Sequence, residues 1–83
     1  MKAVFVDTSA FYAALDASDA FHRRAASLLR QAETDGWRLV TTNYIIQESW
    51  ALLQNRLGWE AVEAWQRVLL ARCEVIWIDA ELH

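Results

Sequence analysis

With 83 residues the chain has room for one small domain, which buries only about 60% of its unfolded surface and folds with little stability to spare. Its single cysteine, Cys73, excludes an internal disulfide and a cysteine zinc cluster, and suits a reducing compartment. No apolar run approaches the ~20 residues of a membrane span, no signal peptide opens the chain, and a net charge of −3 argues against a general nucleic-acid binder, though not against a nuclease with an acidic site. A cytoplasmic protein is expected.

Residues 2–7 (KAVFVD) form an apolar run that ends on Asp7. Such a run predicts a strand covered on both faces, as in a parallel sheet. Residues 10–15 (AFYAAL) place Phe11 and Leu15 four apart and predict a short helix, capped by Thr8 or Ser9. Asp19 is the expected cap of a longer helix, in which Phe21, Ala25, Leu28, Leu29 and Ala32 make one apolar stripe. Gly36 is its expected stop. Residues 37–42 (WRLVTT) read as a second strand. Asn43 is the expected cap of a helix over residues 44–57, closed by Gly58.

Residues 59–73 (WEAVEAWQRVLLARC) read as a fourth helix with Val62, Trp65 and Leu69 on one side. Residues 74–79 (EVIWID) are another apolar run that ends on aspartate. Residues 80–83 (AELH) read as a first helical turn capped by Asp79. His22, Arg23 and Arg24 are expected in solvent, and His83 at a frayed end. Tyr12, Tyr44 and the tryptophans are expected in the core.

The resulting order is β-α-α-β-α-α-β, which implies parallel strands joined by right-handed crossovers. Three parallel strands make a thin sheet. A helix that has only begun at the last residues implies a fold that continues past them.

Ligands of open parallel sheets bind outside the carboxyl ends of the strands. Asp7 sits at that edge, and so does the start of the helix that carries Glu48. On a helical wheel Glu48 lies about 60° from Ile45 and about 40° from Leu52, on the shoulder of the apolar face. Taken alone it reads as a partly buried, hydrogen-bonded glutamate. Asp7 has two readings, a helix cap that meets the dipole or a ligand to a cation. Two carboxylates 4 Å apart repel by about 4 kcal/mol at an effective dielectric near 20. A divalent cation turns that repulsion into a ligand set, and magnesium is commonly held by one or two carboxylates. Glu33, Glu60 and Glu63 lie near helix ends or on polar faces and read as solvated.

The strand ending VDTSAF, the segment TTNYIIQE about forty residues further on, and the order of elements together resemble the PIN domain, and within it the VapC-like toxin ribonucleases. The resemblance implies an α/β fold, a PIN-like three-layer α/β/α sandwich on a parallel sheet, here cut short after the third strand. It implies an endoribonuclease dependent on Mg2+ or Mn2+, with Asp7 and Glu48 as catalytic and metal-binding residues and with the Thr8 and Ser9 hydroxyls orienting Asp7. The implied partners are an RNA substrate, a cognate antitoxin protein and further copies of the chain.

The family places further acidic residues beyond the third strand, and Asp79 does not match them. The metal site is therefore expected to be half built and the 83-residue chain weakly active or inactive alone. The open edge of the first strand predicts self-association or exposed apolar surface. An alternative from another class is a nuclease-dead remnant that binds a partner's helix between its own helices. A haloacid-dehalogenase-like phosphatase also opens on a strand ending in aspartate, but it carries a second aspartate where this chain has Ser9.

Overall fold

The structure, a computed structural model, describes residues 2–79. Strands β1 (Ala3–Phe5), β2 (Arg38–Thr42) and β3 (Cys73–Ile76) form a parallel sheet in that order. Helices α1 (Thr8–Leu15) and α2 (His22–Asp35) join the first pair of strands. Helices α3 (Asn43–Leu57) and α4 (Trp59–Ala64) lead to the third. The fold is α/β with the expected order of elements.

Both crossovers step across the sheet in one direction, so their right-handedness puts every helix on the same face. Val4, Leu39 and Cys73 are in register on that face. With Val6 they meet Phe11 of α1, Ala32 of α2, Leu53 of α3 and Val62 of α4 in one apolar core. The other face carries Phe5, Val40 and Glu74 in register, with Ile76 beside Thr42. Phe5 is 58% and Ile76 54% exposed, so covering on both faces holds only for β2. Among the described residues the helices supply one covering layer.

Several caps differ from expectation because strand runs into helix without a loop, so the strand-end residue does the capping. Of the candidates Asp7, Thr8 and Ser9, it is Asp7 that caps α1, its Oδ1 accepting from the Ala10 amide at 3.0 Å. Thr42 caps α3 through the Ile45 amide at 3.2 Å. Asn43 lies inside that helix, and its side chain accepts from the Ile78 amide (2.7 Å) and donates to the Ile78 carbonyl (3.1 Å). Asp19 accepts from the Phe21 amide (2.8 Å) and folds the turn before α2, which has no side-chain cap. Gly36 closes α2 in the left-handed conformation, at φ 69°.

The fourth helix is not straight. After Ala64 it widens into a π turn over Trp65–Leu69 and then tightens into a 3-10 turn over Leu70–Arg72. The wide turn begins where the fully buried Trp65 indole enters the core, edge-on to Phe11 (5.6 Å between ring centres) and to Trp50 (6.4 Å).

Other side chains also depart from their expected places. His22 is half-buried and its Nδ1–H donates to the Ala13 carbonyl at 2.7 Å, since a carbonyl can only accept. That bond satisfies one of the carbonyls left open at the end of α1. Phe21 and Leu28, assigned to the core stripe of α2, are exposed. Tyr44, Trp59 and Trp77 are exposed as well. The turn expected over residues 80–83, with His83, lies outside the described residues.

Candidate active site

The position of Asp7 is set by the residue before it. Val6 is buried, and both of its backbone groups are tied to β2. Its amide donates to the Val40 carbonyl at 2.7 Å, and its carbonyl accepts from the buried Thr41 hydroxyl at 2.9 Å. Asp7 follows directly, at the carboxyl end of the sheet, where its side chain is exposed. The charge that ends an apolar run is therefore solvated, which removes the cost of burying it. Oδ1 takes both protein hydrogen bonds, from the Ala10 amide and from the Ser9 hydroxyl at 2.9 Å. Among the described residues Oδ2 has none.

Glu48 enters from α3. It is exposed, not partly buried as the helical wheel suggests, and no protein group among the described residues bonds its carboxylate. The shoulder of the apolar face looks into a crevice here and not into the core. That open crevice, of about 440 Å³, is lined by Asp7, Thr8, Ser9, Ile45, Glu48 and Leu52.

The two helices that carry the acids are pinned together beside them. The Ser49 hydroxyl, fully buried, donates to the Thr8 hydroxyl at 3.2 Å. Thr8 thus meets α3, while Ser9 meets Asp7. Sequence reasoning assigned no role to Ser49 or Thr41. The signal was present in both: a small hydroxyl in an otherwise apolar, buried pattern needs a partner and marks a close approach.

The donor set suits a hard divalent cation. Two carboxylates from different elements line one crevice and keep oxygens that no protein hydrogen bond uses, as magnesium or manganese sites require. Among the described residues no group of three histidine, cysteine, aspartate or glutamate side chains comes together. The cap and ligand readings of Asp7 do not compete, because its two oxygens can serve one each.

No curated protein sequence matches the chain. Among solved structures it is similar to the Mycobacterium tuberculosis toxin VapC20, described as cleaving the Sarcin-Ricin loop, with 32% identity and a TM-score of 0.76. The match covers 94% of this chain and 58% of that one, so this chain spans little more than half of that toxin's length. The family model of the PIN domain matches residues 4–83. By that match the chain belongs to the PIN domain family.

Proposed function

We propose that the chain carries the catalytic core of a metal-dependent endoribonuclease, with Asp7 and Glu48 holding Mg2+ or Mn2+. One observation carries this reading: two carboxylates from separate elements line a single crevice at the carboxyl edge of a parallel sheet. The bound ion supplies an activated water and offsets negative charge on the phosphodiester as it is attacked. Asp7 would hold the ion through its other oxygen while Oδ1 keeps the cap bond, so capping α1 would also orient the ligand. Ser9 restrains the same carboxylate. Glu48 approaches from α3, held in place by the Ser49–Thr8 bond. Holding ligands within tenths of an ångström matters because small misplacements cost orders of magnitude in rate.

On the same reading the partners are an RNA substrate, a cognate antitoxin protein and a second copy of the chain, in the cytoplasm. The support is family membership and the likeness to a solved toxin. No described helix is long and apolar enough to cross a membrane.

The test is cleavage of a structured RNA with magnesium, with manganese and with a chelator. Chelation is expected to stop cleavage. Glu48→Gln is expected to lower the rate about 100-fold or more, and Ser9→Ala about tenfold. Cleavage that persists in the chelator would contradict the proposal.

A further inference from the structure

Asp7 caps α1 and Glu48 lies on α3, so the distance between their carboxylates is set by how these two helices pack. Among the contacts that hold the packing are the Ser49–Thr8 bond, beside the crevice, and Trp65. The Trp65 indole stands edge-on to Phe11, one turn beyond Asp7, and to Trp50, two residues beyond Glu48. It therefore bridges the two helices that carry the acids. Two features set this tryptophan apart. Its Nε1 is buried with no hydrogen-bond partner among the described residues, whereas the Trp50 Nε1 donates to Gln54 at 3.2 Å. The backbone also opens into a π turn at this residue, a rare conformation that occurs mostly as one wide turn within a helix. An unsatisfied buried donor costs stability, and phenylalanine at this position would avoid that cost. What the indole adds is breadth, used here in reaching rings on both helices at once.

We propose that Trp65 is a positioning residue for the carboxylate pair, a stiff wedge between α1 and α3 that fixes their angle and so the spacing of Asp7 and Glu48. The inference rests on the metal-binding reading of the crevice. One hydrogen bond holds two helices at a point and leaves them free to rotate about it. A second, rigid contact away from that point removes the rotation. Tryptophan suits the task because it has only two side-chain torsions and a large flat body, here fully buried. The spacing of the acids bears on which ion is held as well as how tightly. Magnesium demands short bonds and near-ideal geometry, whereas calcium accepts longer bonds and a looser ligand set.

The test is manganese binding to the 83-residue chain, with magnesium and calcium as competitors, at a temperature where circular dichroism shows each variant folded. Trp65→Phe is expected to weaken manganese binding about tenfold and to lower the preference for magnesium over calcium. Leu39→Ala, a core truncation on the sheet, is the stability control: it is expected to lower the melting temperature and to leave the preference unchanged. Phe11→Leu trims the ring that the indole meets on α1. It is expected to shift the preference the same way, and it carries the test if Trp65→Phe does not fold. A preference unchanged in the folded variants, or altered equally in Leu39→Ala, would overturn the positioning role. No manganese binding by the unaltered chain would instead overturn the metal reading, and the positioning role with it, so the two failures are distinguishable.

Discussion

Asp7 caps α1 through one carboxylate oxygen, and substitution can separate that cap from the proposed ligand role. Asparagine caps a helix about as well as aspartate, whereas alanine costs about 1 kcal/mol at such a position. Asp7→Asn is therefore expected to keep the melting temperature, and Asp7→Ala to lower it by several degrees in a thermal melt. Ser49 is the buried counterpart. Ser49→Ala removes its bond to Thr8 and is expected to cost about 1 kcal/mol by denaturant unfolding. Asp16 offers a pH handle outside the site. The Ser18 hydroxyl, donating at 2.6 Å, holds its carboxyl below the usual carboxylate range, helped by Tyr12 and the Ser18 amide. Because the folded value is the lower one, this contribution is present above the usual carboxylate range and is lost as pH falls through the folded value. Asp16→Asn is expected to flatten the acid limb of a melting series against pH.

Elements were more legible than their ends. The apolar runs gave the three strands, and helical spacing with Gly36 and Gly58 gave the helices. The cap of α1 is Asp7, which the sequence offered beside Thr8 and Ser9, and the cap of α3 lies one residue before the expected Asn43, because a strand that feeds a helix directly offers its own last side chain as the cap. Nothing in local pattern shows that Asn43 will reach across the sheet edge to Ile78. That pairing is long-range, and it ties the start of α3 to the chain just after β3. Asn43→Ala is expected to destabilise by about 1–3 kcal/mol by denaturant unfolding, since two backbone partners lose their bonds at once. The π turn after Ala64 was equally invisible, because it is set by where the Trp65 indole packs and not by propensity. That Asp7 and Glu48 meet at one crevice was readable from their places at the sheet edge. Glu48's exposure was not, since a wheel angle cannot distinguish a crevice from a core.

At the scale of the molecule, one sheet face carries Phe5 and Ile76 into solvent, and β1 leaves one edge of its backbone unpaired in the described sheet. An open apolar edge invites pairing with another chain. Self-association that rises with concentration is expected in light scattering, and Phe5→Lys is expected to reduce it. A monomer at all concentrations would contradict this. The helix-covered face, by contrast, is packed, and its far end builds the crevice that holds both acids. On the proposed function Asp7 and Glu48 bind one divalent ion between them, which is tested by manganese binding to the 83-residue chain followed by electron paramagnetic resonance, with Asp7→Asn as the matched control of equal expected stability. One ion per chain, lost in Asp7→Asn, is expected. Binding of equal strength in both proteins, or in neither, would contradict it.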